Sequence, residues 1–285
     1  MDARFCRLLI SGGMNPSLLA AKSPGREVQG ILRRLVAGVA KDIEALPESA
    51  EDRVHDIRVR MKKFRAVLLL AESALERPEF EKSDKLARTL KDQFGSVRDD
   101  DVQTELLLDL LEKPEALAAA AALGLNCPNA QRAPETATAR ETCSALASQA
   151  DRFQLEKLAG SDIFEAWLGS YRNSRRAMRA CRKDVADDTV FHEWRKRVKE
   201  LLYQSATIGS PLDKIVPKAD RLASALGSHH DLAILTGRLA AHLAGSNAER
   251  AAVSKRKLVA RRALVMGSRL FAEKPSALRG KVALA

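Results

Sequence analysis

The sequence predicts an all-α fold, and three observations carry that reading. Hydrophobic residues make up 46% of the 285 positions while aromatics make up only 4%, so the core must be built from Leu, Ala and Val. Leu and Ala, with the abundant Arg, Lys and Glu, are strong helix formers. No stretch alternates Val, Ile or Thr as a half-buried strand would, whereas apolar residues recur at spacings of three and four between Pro and Gly stops.

The elements follow in order from those spacings. A first helix spans about 27–45 and stops before Pro47. A second spans about 50–76, opened by a capping-box-like Ser49 to Asp52 and closed by Pro78. A third covers about 79–95, with Gly95 as its C-terminal cap, and a fourth about 100–123. Residues 124–135 hold Gly124, Pro128, Asn129 and Pro134 and read as a linker. Beyond it the pattern gives helices near 136–159, 161–184, 188–208, 212–226, 229–244 and 247–273, the last ending before Pro275. The tail from 276 reads as loose. The domain reading is a disordered leader over 1–25, a first helical half over 26–123, the linker, a second half over 136–275 and the tail 276–285.

Charge and cysteines narrow the class. The net charge is +11 with an isoelectric point near 9.7, which concentrates anions at the surface. Nucleic acid, anionic membrane and phosphate polymers all fit, and what decides among them is whether the cations share a face. Cys6, Cys127, Cys143 and Cys181 form no CxxC pair and read as reduced thiols of a cytoplasmic protein. The longest nearly apolar run, 116–125, is too short to cross a bilayer. After Arg4 and Arg7 only residues 8–10 are apolar before Ser11, too few for a signal peptide, and Met1 and Met14 are both candidate starts.

The most informative feature is an internal repeat. VHDIRVRMKKFRA at 54–66 aligns with FHEWRKRVKELLY at 191–203, so that His55, Arg58, Arg60 and Lys62 match His192, Arg195, Arg197 and Lys199. FGSVRDDDV at 94–102 aligns with LGSHHDLAI at 226–234, matching Gly95, Ser96 and Asp99 to Gly227, Ser228 and Asp231. Two motifs repeated in one order point to a duplicated unit, and two copies suit a compact pair of bundles better than a solenoid.

On the first repeated helix Val54, Ile57, Met61, Phe64 and Leu68 form the core stripe. His55, Arg58, Lys62 and Arg65 fall within about 80° of arc, about 100° round from that stripe. Cations at the rim of a buried face are where a cleft wall would be. The second copy sets Phe191, Trp194, Val198 and Leu201 on the core side and His192, Arg195 and Lys199 on the arc, with Leu202 in place of the fourth cation. Like charges one turn apart repel, so paired stripes call for an anion opposite. Arg and Lys suit phosphate oxygens, by a fork of donors and by a compact charge respectively. The plainer alternative is a solvated charged face. A third basic stretch, with Arg172, Arg175, Arg176 and Arg179 on one candidate helix, is as readily an ordinary Arg-rich surface.

With HDIRVRMKKFR, YRNSRRAMRA, HEWRKRVKELLY, LGSHHDLAIL and ALVMGSRLFAEKP in that order, the chain resembles the CHAD domain family across roughly 27–275. The resemblance implies two four-helix-type bundles related by pseudo-twofold symmetry, with a basic groove between them that binds inorganic polyphosphate at polyphosphate granules. Carried onto this chain, it implies His55, Arg58, Lys62, Lys63, Arg65, His192, Arg195 and Lys199 as contacts, with Arg172, Arg175 and Arg176 beside them. Val97-Arg98 stands where the second half has His229-His230, so the two walls need not contribute equally.

Rival readings are weaker. An HD-type phosphohydrolase would use His192, His229, His230 and Asp231, but no Asp follows Asp231 to complete the ligand set. Gly12-Gly13 lacks the Lys-Ser/Thr of a P-loop, and Glu79-Phe80-Glu81-Lys82 lacks the spacing of the acidic strand in triphosphatase domains that accompany many CHAD domains. No enzyme activity, cofactor or metal is therefore expected. Nucleic acid is the runner-up partner, set back by the scarcity of aromatics for base stacking. A coat protein of storage granules is the third. Glu51 and Asp188, each four residues before a motif histidine, read as acids favouring a helix N-terminus, and Asp99 and Asp231 as helix starts. His55 and His192 either meet the ligand, taking up protons as it binds, or hydrogen-bond across the bundle interface.

Overall fold

The computed structural model describes residues 17–46, 50–94, 99–125 and 136–282. Among them are eleven α-helices and no strand: α1 (Pro24–Glu44), α2 (Ala50–Leu70), α3 (Arg77–Gln93), α4 (Asp99–Leu110), α5 (Lys113–Ala122), α6 (Thr136–Arg152), α7 (Gly160–Lys183), α8 (Asp188–Ile208), α9 (Val216–His242), α10 (Asn247–Leu270) and α11 (Pro275–Val282). Single 3₁₀ turns lie at Leu18–Ala20 and Glu72–Ala74.

Packing partners trace two circuits. Helices α1, α2, α3 and α6 pack in one ring, and α7, α8, α9 and α10 in another. The rings meet where α2 lies against α8, with α7 also touching α2. The two repeated helices are thus the shared wall. Val54, Ile57, Met61, Phe64 and Leu68 of α2 are buried, as are Phe191, Trp194, Val198 and Leu201 of α8, and all belong to one continuous core. The side-chain amide of Gln204 on α8 donates to the carbonyl of Ala66 on α2 at 3.1 Å, a buried bond that fixes the register between them. A smaller cluster packs α4 and α5 onto α9 and α10 through Leu107, Ala116, Ala120, Leu235 and Ala252.

Local chemistry explains the helix ends. Asp187 accepts the Thr189 N–H at 2.8 Å to open α8, which closes on Gly209 at a φ of 71°, a left-handed conformation suited to glycine. Ser246 accepts the Glu249 N–H at 3.1 Å to open α10.

Several elements differ from the sequence reading. The helix expected over 100–123 is broken after Leu110 and restarts at Lys113, with Pro114 in its first turn. A proline inside a helix loses one bond and clashes with the carbonyl four residues back, whereas in the first turn it costs nothing. The two helices expected over 212–226 and 229–244 are one, α9, running straight through Gly227. Mid-helix glycine costs about 1 kcal/mol, less than burial of Leu222 and Leu226 before it and of Leu232, Leu235 and Leu239 after it returns. Asp231 is therefore mid-helix, not a helix start, while Asp99 does begin α4. The tail from 276 contains α11, where Leu278 is buried and Arg279 reaches Glu165 at 2.5 Å.

Other stretches are trimmed. Helix α6 ends at Arg152, and Phe153, Leu155 and Leu158 beyond it plug the core. Residues 71–76 leave the helix after Leu70 for a 3₁₀ turn. The chain packs from Ser17 onward, with Leu18 buried, although the sequence assigns 1–25 to a leader. Helix α6, assigned by chain order to the second half, packs on α1 and α3; α4 and α5, assigned to the first, pack on α9 and α10. Residues 1–16, most of the linker, Ser49 and Gly95 lie outside the described residues. Cys143 and Cys181 are buried free thiols, pushed up to about 11 and about 12 by burial, and Cys6 and Cys127 lie outside the described residues.

Candidate functional site

Between α2 and α8 opens a cavity of about 560 Å³. Helix α2 contributes Arg58, Lys62 and Arg65, and α8 contributes His192, Arg195, Lys196, Arg197 and Lys199. Helix α3 adds Phe80, Asp84 and Lys91, and α9 adds His230. Ala66 and Leu69 of α2 and Tyr203 of α8 supply apolar lining beside these cations.

The cavity has two chemically distinct parts. In one, Arg65 donates to Asp84 at 2.6 Å and Arg197 donates to Glu193 at 2.8 Å, so charge is balanced. Glu200 accepts from the Ser170 hydroxyl at 3.0 Å, and burial raises its pKa above the ordinary carboxylate range. The Asp84 carboxyl is buried too, yet Arg65 and Arg88 outweigh that cost and hold it below its usual value.

The other part is unbalanced. Burial, and then Lys199, Arg58, Arg195 and Lys91 in turn, push the Lys62 ammonium down to about 7. Every charge acting appreciably on Lys62 is positive. Lys199 falls to about 8 through burial and Arg195, with partial relief from Asp231 and Asp220. Arg58 donates to the Phe94 carbonyl at 2.7 Å, which turns its guanidinium toward the end of α3. The buried Arg195 Nε has no hydrogen-bond partner among the described residues. Several desolvated cations with little anionic compensation form a site that gains from any anion able to enter.

Histidines frame this end. The Nδ1 atoms of His192 and His230 lie 3.2 Å apart, within hydrogen-bond reach when one of them carries the proton and the other does not. Burial, then His230, Lys196 and Arg195, hold His192 below its usual pKa. His229 instead stacks on Phe191 at 4.3 Å between ring centroids and sits 3.7 Å from Asp188, pushed down to about 4 by burial. Asp188 also takes Arg256 at 2.5 Å, a tertiary role that its position near a helix start did not reveal. His229 and His230 thus serve different neighbours. Among the described residues no group of three His, Cys, Asp or Glu side chains is placed to hold a metal ion.

Of the residues singled out in the sequence, Arg58, Lys62, Arg65, His192, Arg195 and Lys199 come together as cavity lining. The others lie off it. His55 is exposed near the start of α2. Lys63 is buried on another side of α2, lowered to about 8 by burial and Arg60, with Asp56 opposing. Neighbouring helical positions differ by about 100°, so Lys62 and Lys63 cannot share a face. Arg172 and Arg176 are exposed and Arg175 half-buried on α7, outside the lining. The sequence reading missed Lys91, Lys196, Arg197 and His230 as lining; Lys196, Arg197 and His230 sit inside the repeated motifs, whereas Lys91 comes from a different helix and carries no motif signal. Leu202 is fully buried rather than standing at the rim.

A profile of the CHAD domain matches residues 29–240, most of the chain. The chain belongs to the CHAD domain family. Comparison with solved structures finds similarity to the crystal structure of the CHAD domain from the plant Ricinus communis, at 18% identity over 94% of each chain with a TM-score of 0.49. No curated protein matches the chain. Both copies of the repeated basic helix, α2 and α8, contribute cations to the same cavity. Among the described residues no helix is long and apolar enough to cross a membrane.

Proposed function

We propose that this CHAD chain binds linear inorganic polyphosphate in the cavity between α2 and α8, as a binding protein without catalysis. The observation that carries the reading is the convergence of Arg58, Lys62, Arg195 and Lys199 on one cavity, where burial, and then like charges with no acid to offset them, depress Lys62 to about 7. A chain of phosphates supplies several negative charges in a narrow cross-section, which matches a cavity of about 560 Å³ better than a nucleic-acid duplex does. The cavity's aromatic lining is the buried Tyr203 and the half-buried Phe80, too little for a base-stacking platform. Arg58, Lys62, Arg195 and Lys199 are the principal contacts, with Lys91, Lys196, His192 and Arg65 beside them. The bond from Ser170 of α7 to Glu200 sets the middle of α7 next to the cavity. Arg172, Arg175 and Arg176 on that helix then meet the part of a long chain that leaves it, and His55 and Lys63 stand on α2 outside the cavity lining. Association with polyphosphate granules follows from such binding.

The test is calorimetric titration with polyphosphate. Arg58→Gln, Lys62→Gln, Arg195→Gln and Lys199→Gln combined remove four charge-assisted contacts of roughly 1.5–3 kcal/mol each, a loss on the order of ten-thousandfold or more. Circular dichroism should show helicity retained. Unchanged affinity removes the cavity from the binding site, and displacement of polyphosphate by duplex DNA at equal phosphate concentration favours the nucleic-acid reading.

A further inference from the structure

A second cationic surface lies away from the cavity, on α10. Residues 251–272 contain no acid, while Lys255, Arg256, Lys257, Arg261, Arg262 and Arg269 all fall within them. Arg256 is committed to Asp188. The other five are exposed.

Their arrangement around the helix is what points to a ligand. The buried residues Ala248, Ala252, Val259, Ala260, Ala263, Gly267 and Leu270 occupy about 120° of arc. Leu258 and Val265 lie nearly opposite the middle of that arc, 43% and 52% exposed, and are among the largest apolar groups left in solvent. Lys257 and Arg261 stand on one side of this aliphatic pair, and Lys255, Arg262 and Arg269 on the other. From Lys255 to Arg269 the face runs about 21 Å along the axis. Near its end Arg182 of α7 reaches the Ser268 hydroxyl at 2.5 Å, bringing one more guanidinium to the same helix.

We propose that this outward face of α10 seats the chain on an anionic bilayer surface. A polyphosphate chain or a nucleic-acid backbone would satisfy the cations and leave Leu258 and Val265 in water. A bilayer interface satisfies both: the aliphatic pair enters the boundary between headgroups and acyl chains, and the flanking Lys and Arg side chains extend sideways to lipid phosphates. Attraction of clustered cations to the negative surface supplies most of the binding, and the two aliphatics set its preference for a bilayer over a soluble polyanion. The chain rests on the membrane without spanning it, and the cavity between α2 and α8 stays open.

Vesicle flotation tests this with the full chain. Vesicles of phosphatidylcholine alone should leave the protein in solution, and vesicles of equal parts phosphatidylcholine and phosphatidylglycerol should carry it up. Leu258→Ser with Val265→Ser keeps every charge and should lower partitioning about tenfold, with the polyphosphate titration unchanged. Arg261→Gln, Arg262→Gln and Arg269→Gln together should lower it on the order of a hundredfold. The four-residue cavity variant should float like the wild type. A wild-type protein that fails to float overturns the proposal. So does an aliphatic variant that floats equally well, because the face would then be a site for soluble polyanions. Flotation lost only in the cavity variant assigns lipid phosphate to the cavity instead.

Discussion

Lys62 offers the sharpest test of the electrostatic argument. In an unfolded chain its ammonium titrates near 10.5; in the fold burial and four neighbouring cations bring it to about 7. The unfolded state therefore binds more protons than the folded state between these values, and stability rises with pH across that window. At pH 7 the mismatch destabilises the ligand-free protein by at most about 4 kcal/mol, which water in the open cavity reduces to about 1–2 kcal/mol. Lys62→Met, close in length and without charge, should stabilise the free protein by that amount in urea denaturation at pH 7. The advantage should shrink as pH rises toward 10, because the wild type recovers what it lost. The same variant should bind polyphosphate more weakly. A destabilised Lys62→Met, or a stability difference flat with pH, would refute the claim that this cluster is held together against its own repulsion.

Other outcomes follow from neighbouring features. If about six phosphates are neutralised in the cavity, log K for polyphosphate should fall against log salt with a slope near −4, borrowing the single-strand coefficient; a slope near zero would indicate a small-ligand pocket. His229 is held neutral against Phe191 down to about pH 4, so its contribution is intact above about 6.5 and is lost as pH falls toward 4. About 2 kcal/mol should be gone by pH 5, and His229→Phe should flatten that stretch of the stability curve in denaturant titrations. Asp42 is buried and accepts from Arg60 at 2.7 Å, with Arg53 at 3.2 Å. Asp42→Ala strands Arg60 and should cost about 3 kcal/mol, read as a lower melting temperature with the polyphosphate stoichiometry unchanged.

Sequence periodicity made the two repeated helices legible because each has a full apolar stripe, and Val54 to Leu68 and Phe191 to Leu201 are buried as that stripe requires. It failed where one local signal met a tertiary one. Gly227 looked like a helix end, but α9 buries residues on both sides of it, Leu222 and Leu226 in the main core and Leu235 and Leu239 in the smaller cluster. Pro114 was passed over inside an Ala-rich run that seemed uniformly helical. Chain order also misled: α6 follows the linker yet returns to the first ring, because α1 and α3 leave an apolar face that Ala139, Cys143, Leu146 and Ala150 cover.

The site divides along the same physical line. Spacing on a single helix placed Arg58 and Lys62 on one arc, and the repeat supplied Arg195 and Lys199. What spacing could not supply is the relation between arcs. Lys62 is lowered by its burial where α2 and α8 pack wall to wall, fixed by Gln204 on Ala66, and then by the cations of both helices, with Lys91 of α3 adding least. Arg60 and Arg197 make the point in reverse. They align in the repeat, yet Arg60 serves Asp42 away from the cavity while Arg197 lines it beside Glu193. A duplicated sequence gives each copy the same cations; the acid that happens to face each one decides whether it braces the fold or remains available to a ligand. Around Lys62 every charge acting appreciably is positive, which is why the proposed anion is placed there rather than beside Arg65 or Arg197.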